Sequence, residues 1–193
     1  MTKRALPVSA LPQSNIGFAP AEPAYRYHIE LINGAEVEKP MPKKLHTWIQ
    51  VYLIGALLRL MPEPFEPLSE LDLLTGSQTK DGRREWICPD IQVAAKTAKY
   101  EEGMLAEPPV LGVEILSPGQ TITELFARGD RLVKAGAQNV WVIWPEKRRA
   151  WQVGADRIDE SHDTLTLSFP AGTKLDSVSI ELSEMWKVLD RPE

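Results

Sequence analysis

Hydrophobic residues recur along this chain at two different spacings, and each spacing predicts a different kind of element. Apolar residues at helical spacing over residues 45–57 predict a first helix, which the breaker "PEPFEP" ends. A second helix is expected to begin at a cap, Thr121 or Thr123, and to run to residue 135, with Gly136 as its C-terminal stop. The two helices divide the chain into three parts.

Strand-like segments fill those parts. The Asn33-Gly34 pair within residues 25–40 is typical of a β-hairpin. Apolar or alternating runs predict further strands at residues 68–74, 85–96, 110–116, 139–146, 148–154 and 164–169, and "ELSEMW" is a short helix or a last strand. The order of hairpin, helix, strands, helix and strands predicts an α/β fold, with a mixed β-sheet flanked by α-helices.

Length and composition favour one globular domain. The 193 residues suffice for a proper core, and we expect a single domain over residues 25–193 after a flexible, Pro/Ala/Ser-rich arm at residues 1–24. The longest apolar stretch, residues 48–61, is too short and interrupted to cross a membrane. With no convincing signal peptide and a single cysteine, Cys88, the sequence predicts a cytoplasmic protein without membrane contact.

Charge limits the partners. The net charge of −5 gives no long-range attraction to nucleic acid, so a nucleic-acid partner would need a local basic patch or a metal ion. The sequence has no phosphate-binding GxxxxGK[ST], no GxGxxG, no GxSxG and no Cys/His cluster at zinc spacing. Ser117 follows a strand but precedes a proline, which favours a helix-start residue over a nucleophile.

Two carboxylates stand in apolar strand sequence. Glu114 lies inside "VLGVEIL", and Asp90 opens "DIQVAA". Burying an unpaired carboxylate costs several kcal/mol, so each needs a cation. If their strands are neighbours, the pair can hold Mg²⁺ or Mn²⁺. The alternative is that Asp90 caps a turn and Glu114 pairs with an arginine.

A phosphodiester-cleaving site also needs a cation near these carboxylates. Lys96 shares a strand with Asp90 but lies roughly 20 Å away along it, which excludes it. Arg128 on the second helix can reach the carboxylates, with Glu124 one turn earlier to orient it. An ordinary surface ion pair of Glu124 and Arg128 explains the spacing equally well. His46, on or beside the apolar face of the first helix, is either a packed histidine or an accessory group.

These motifs together resemble a known family. The stretches "PDIQVAA", "PPVLGVEILSPGQT" and "KAGAQNVWVIWPE", with the opening "YHIELINGAEVEKPMP" and His46, are similar to the Uma2-like (DUF820) family of the PD-(D/E)XK nuclease superfamily. The resemblance covers about residues 25–155 and implies a restriction-endonuclease-like fold. It also implies Asp90 and Glu114 as metal ligands, joined by the backbone carbonyl of Ile115.

The chain departs from the family pattern on the second helix, where the family has its cationic residue. The family's helix carries D-x-x-x-K, where this sequence has Glu124 and Arg128, and Leu132 replaces a usual tyrosine. Arginine stays protonated and cannot serve as a general base, but it can stabilise charge on a phosphate. The resemblance therefore implies an Mg²⁺-dependent DNA endonuclease, expected to act as a homodimer. The alternative is a non-catalytic relative that binds nucleic acid or a protein.

Overall fold

The computed structural model describes residues 27–40 and 42–190. The predicted arm at residues 1–24 lies outside the described residues. The described part is a mixed α/β fold that opens with the predicted hairpin, strands β1 (Tyr27–Ile32) and β2 (Ala35–Pro40). Asn33 and Gly34 join them, with φ angles of 51° and 78°, the left-handed conformation that a tight two-residue hairpin turn requires.

Three α-helices and twelve further strands follow within residues 42–190. The helices are α1 (Lys44–Leu60), α2 (Ile122–Lys134) and α3 (Leu182–Lys187). The strands are β3 (Phe65–Ser69), β4 (Leu73–Gln78), β5 (Arg84–Ile87), β6 (Ile91–Ala95), β7 (Tyr100–Glu101), β8 (Met104–Leu105), β9 (Leu111–Ile115), β10 (Asn139–Trp144), β11 (Arg149–Val153), β12 (Ile158–Ser161), β13 (Thr164–Ser168) and β14 (Ser177–Glu181).

The strands of the described residues form two six-stranded sheets and a ribbon rather than one sheet. The N-terminal sheet has the order β2-β1-β5-β4-β8-β7, and the central sheet has the order β12-β11-β10-β9-β6-β3. Strands β9 and β10 are parallel, with α2 as the crossover between them, while β9 and β6 are antiparallel. Strands β13 and β14 pair with each other.

Several strand boundaries differ from the sequence-based prediction. The run predicted at residues 68–74 is split between β3 and β4, and the run at residues 85–96 is split at Cys88-Pro89-Asp90. Proline has no N–H to continue a ladder, so β5 ends there in one sheet and β6 begins in the other. The predictions missed β7, β8, β12 and β14, and "ELSEMW" mostly forms helix α3.

The two faces of the central sheet carry separate cores. Trp141 and Ile143 of β10 pack on the face covered by α1, whereas Val140 and Val142 pack on the face covered by α2. This alternation follows from the two-residue period of a strand. Helix α2 begins with a capping box, in which the Thr121 side chain accepts from the Glu124 backbone N–H and Glu124 accepts from the Thr121 backbone.

Two glycines let α2 lie unusually close to the central sheet. A Cβ on Gly129 of α2 would stand 2.9 Å from Val142 Cγ1, and a Cβ on Gly112 of β9 would stand 2.9 Å from Leu132. Such distances are too short for two carbon atoms, so each contact depends on a hydrogen atom in place of a methyl group. The close approach brings Arg128, next to Gly129, within reach of β9.

We expect Gly129→Ala to lower the free energy of unfolding by about 1–2 kcal/mol, because overpacking outweighs alanine's better helix propensity. Gly55→Ala in α1 is the matched control, since its Cβ would meet only Arg59 at 3.7 Å, and that change should be neutral or stabilising. Urea unfolding of both variants measures the difference. Equal effects in the two helices would contradict the close packing of α2.

Candidate functional site

Asp90 and Glu114 come together because β6 and β9 are neighbours. Ile91 pairs with Val113, and the backbone N–H of Asp90 donates to the Val113 carbonyl at 3.1 Å. The register therefore sets Asp90 beside Glu114, on adjacent strands as the sequence predicts. Both side chains are buried, Asp90 with 1% and Glu114 with 2% of its surface exposed.

Asp90 meets a backbone donor and a cation. Its Oδ2 accepts the Ile115 N–H at 2.6 Å, and its Oδ1 lies 2.5 Å from the Lys39 ammonium without hydrogen-bond geometry. Its backbone carbonyl accepts from the Gln50 side chain at 3.0 Å. These contacts are not those of a residue that only caps a turn, which was the alternative for Asp90.

Arg128 reaches in from α2 and bridges two glutamates. Its Nε donates to Glu114 Oε2 at 2.7 Å, while Nη1 and Nη2 donate to Glu30 Oε2 and Oε1 at 2.7 and 2.8 Å. Nη2 also lies 3.2 Å from both Glu114 Oε1 and the Cys88 carbonyl. Every nitrogen of the guanidinium thus has an acceptor. Glu114 pairs with an arginine, as expected from the alternative to a metal site.

Glu124 does not orient Arg128, and that predicted contact is wrong. Its carboxylate is exposed and accepts from the Thr121 backbone N–H at 2.6 Å and from the Thr121 hydroxyl at 2.9 Å. The capping box turns Glu124 back toward the helix start, away from the buried Arg128. Glu30 of β1 takes the orienting place instead.

The sequence-based search missed two charged residues that the N-terminal hairpin supplies. Glu30, fully buried in β1, also accepts the Cys88 N–H at 2.7 Å. Lys39, 8% exposed at the end of β2, donates to the Cys88 carbonyl at 2.6 Å. We call Glu30, Lys39, Asp90, Glu114 and Arg128 the ionic centre.

His46 borders the ionic centre. His46 is buried on α1, where its Nδ1 lies 2.9 Å from the Ser117 hydroxyl and its Nε2 lies 3.5 Å from Asp90 Oδ1. Burial lowers the pKa of His46 despite the nearby Asp90, so the ring is neutral at neutral pH. Ser117 also lines a cleft of about 150 Å³ with Gln120, Trp144 and Glu146, at the end of β9.

Burial and charge pairing set the ionisation of the ionic centre. Burial alone would raise the pKa of Glu30 and of Asp90, but Arg128 and Lys39 respectively outweigh it and lower both. Burial acts to lower the pKa of both cations, but Glu114 and Glu30 keep Arg128 charged, and Asp90 and Glu114 keep Lys39 charged. Burial raises the pKa of Glu114 to about 7, beyond what Arg128 offsets.

The ionic centre therefore has three carboxylates against two cations. Because the excess is one carboxylate, a proton near neutral pH or an added cation restores the balance. Asp90 Oδ1 and His46 Nε2 are also buried without a hydrogen-bond partner among the described residues. A buried cluster with one carboxylate in excess fits a hard divalent ion such as Mg²⁺ or Mn²⁺.

The raised pKa of Glu114 predicts a pH-dependent cost in stability. The cost is absent below the ordinary value of 4.5, grows as pH rises toward 7, and is complete above it, because the folded state holds the proton more tightly. Without added metal, the free energy of unfolding of Glu114→Gln should rise relative to that of the wild type as the pH increases. The increase between pH 5 and pH 8 should be on the order of 2 kcal/mol. Urea unfolding across that range measures it. A constant difference would show that Glu114 is already ionised at pH 5.

Comparison with known proteins identifies the family. The family model Uma2, described as "Putative restriction endonuclease", matches residues 21–176, most of the chain. The chain belongs to the Uma2 family. The family assignment made from the sequence motifs is thereby confirmed.

A solved structure supports the fold of this Uma2 protein. It is described as a "putative nuclease belonging to DUF820 from Anabaena variabilis ATCC 29413", and it matches with a TM-score of 0.63 at 21% identity, covering 83% of this chain and 90% of that one. The restriction-endonuclease-like fold predicted from the sequence is confirmed. A search of curated proteins found no match. Among the described residues no helix is long and apolar enough to cross a membrane.

Proposed function

We propose that this Uma2 protein is a metal-dependent DNA endonuclease that hydrolyses phosphodiester bonds at the ionic centre. The observation that carries the proposal is the pair Asp90 and Glu114 on adjacent strands, buried with one carboxylate more than the protein cations balance. Family membership supports nuclease chemistry, and the excess of one buried carboxylate over the protein cations supports a metal ion.

Asp90, Glu114 and the Ile115 carbonyl are the residues that would hold Mg²⁺ or Mn²⁺. The bound ion lowers the pKa of a water molecule and stabilises charge on the phosphate. The chain prepares the ligands: the Ile115 N–H fixes Asp90 Oδ2, and Arg128 fixes Glu114 through two donors. Both carboxylates are thus held in place before an ion binds.

Lys39 suits the phosphate better than Arg128 does. The guanidinium nitrogens of Arg128 are all engaged by Glu30, Glu114 and the Cys88 carbonyl, which leaves Arg128 as a positioning residue. The Lys39 ammonium has three N–H groups and two described neighbours, Asp90 and the Cys88 carbonyl. Lys39, held by fewer acceptors than Arg128, is therefore the cation that would meet a phosphate oxygen or the attacking water. Neutral His46 lies beside it, with Nε2 3.5 Å from Asp90 Oδ1.

A second candidate is a non-catalytic protein that binds nucleic acid or a protein partner. The observation that favours it is the occupation of both Glu114 oxygens by Arg128, with Lys39 against Asp90, so that protein cations already neutralise most of the carboxylate charge. The two candidates differ in whether DNA is cut. We also propose a cytoplasmic protein, as its buried free thiol suits a reducing compartment, and a homodimer, since cutting both DNA strands takes two centres.

Incubation with supercoiled plasmid tests the proposal. We expect nicked or linear DNA with Mn²⁺ or Mg²⁺ and none with chelator, because the metal supplies the activated water. Fluorescence anisotropy with labelled DNA in Ca²⁺ runs in parallel. Intact plasmid in both metals, together with DNA binding, would favour the non-catalytic candidate, and intact plasmid without binding would overturn the DNA endonuclease.

A further inference from the structure

A second group of metal-ligating atoms lies in the N-terminal sheet. His28 is on β1, Asp72 directly precedes β4, and Cys88 directly follows β5. Strand β5 lies between β1 and β4, and Leu73 pairs with Ile87, so one end of the sheet collects all three residues. One ligand atom from each lies within 4.8 Å of the other two.

The three side chains differ in burial in a way that suits a bound ion. The Cys88 thiol is 1% exposed and has no hydrogen bond to another described residue, so it is an unpartnered group aimed into the cluster. The side chains of His28 and Asp72 are 38% and 26% exposed, with His28 Nε2 2.7 Å from Asp72 Oδ1. An ion can therefore arrive from solvent past two partly buried ligands and meet a fully buried third.

The donor types select the ion. Imidazole, carboxylate and thiolate are the ligands of zinc and similar borderline metals, whereas Mg²⁺ prefers oxygen alone. Three protein ligands on a partly exposed site leave the fourth tetrahedral position to water. The site lacks zinc spacing in the sequence, because its ligands come from three strands of a folded sheet.

We propose that His28, Asp72 and Cys88 form a site for a thiophilic divalent ion of the zinc class, separate from the ionic centre. On binding, the thiol proton leaves to solvent and the sulfur lone pair enters the metal coordination. The His28 proton that Asp72 Oδ1 accepts leaves Nε2 for solvent while Nδ1 takes up a proton, so the imidazole stays neutral and its Nε2 lone pair binds the metal beside the Asp72 carboxylate.

The site joins the ionic centre through the backbone of Cys88. Its carbonyl accepts from Lys39 and Arg128, and its N–H donates to Glu30. An ion on the Cys88 sulfur would therefore fix the peptide groups to which the ionic centre is anchored.

Titration of chelator-treated protein with Co²⁺, in millimolar Mg²⁺, tests the proposal. We expect one Co²⁺ per chain, a near-ultraviolet thiolate-to-cobalt charge-transfer band, and loss of that band when Zn²⁺ is added. The band should disappear in Cys88→Ser. His28→Gln, at a half-exposed position that does not threaten folding, should weaken Co²⁺ binding by at least about tenfold.

The exposed His162 provides the matched control, and His162→Gln should bind Co²⁺ like the wild type. Absence of the charge-transfer band in the wild type would overturn the proposal, as would equal affinity in His28→Gln and His162→Gln. Co²⁺ binding that gives no thiolate band and is abolished by excess Mg²⁺ would assign Co²⁺ to the ionic centre and overturn the proposal also. None of these readouts depends on nuclease activity.

Discussion

Replacing Arg128 by methionine is expected to lower the free energy of unfolding at pH 7 by about 3–5 kcal/mol. The change leaves Glu30 and Glu114, which are 0% and 2% exposed, without the guanidinium that both carboxylates share. Removing one partner of a buried ion pair costs much more than the pair contributes, because an uncompensated charge stays in the interior. Urea unfolding at neutral pH measures the loss.

Arg149 offers a matched control for Arg128. It also donates to one carboxylate through two nitrogens, at 2.7 and 2.5 Å from Glu160, but on the surface of strands β11 and β12. Arg149→Met should therefore cost far less, since water solvates the glutamate that remains. A triple variant, Arg128→Met with Glu30→Gln and Glu114→Gln, should recover most of the stability. Similar losses for Arg128→Met and Arg149→Met would mean that water reaches the ionic centre.

The second large effect concerns activity. Asp90→Asn is expected to slow plasmid nicking by at least about 100-fold, comparable to the loss of one charge-stabilising group in other enzymes. Asparagine keeps the shape and can still accept the Ile115 N–H, but it removes the proposed metal ligand and the counter-ion of Lys39. The rate of conversion of supercoiled to nicked plasmid in Mn²⁺ measures the effect.

The control for Asp90→Asn makes the same chemical change elsewhere. Asp130→Asn on α2 removes an exposed carboxylate that pairs with Lys134, and its nicking rate should equal that of the wild type. Circular dichroism confirms that both variants are folded. Wild-type nicking by Asp90→Asn would place any cleavage outside the ionic centre.

The buried carboxylates of the site could be predicted from the sequence, because a carboxylate in an apolar strand costs free energy unless it is paired. That cost singles out Asp90 and Glu114, the need for a nearby cation singles out Arg128, and all three lie together in the structure. The catalytic roles of these residues stay predictions. The same reasoning applied to "HIELI" would have found Glu30, since it too is a carboxylate within an apolar run.

The contacts of Lys39 and Glu124 depend on long-range pairing or on competition between local motifs, which the sequence pattern does not resolve. Lys39 reaches Asp90 because the hairpin joins the N-terminal sheet, and no short-range signal specifies that pairing. For Glu124, two local patterns competed, a pair with Arg128 four residues on and a capping box with Thr121 three residues back. The capping box prevails because it satisfies backbone donors at the helix start.

The pairing of Glu30 with Arg128 spans 98 positions of the chain and sets an order of events during synthesis. At about 5–20 residues per second, the ribosome takes roughly 5–20 s to add the intervening segment. Until then the β1–β2 hairpin has a carboxylate that is costly to bury, so the N-terminal sheet cannot close tightly over it. The β1–β2 hairpin must therefore wait for α2 before it reaches its final packing.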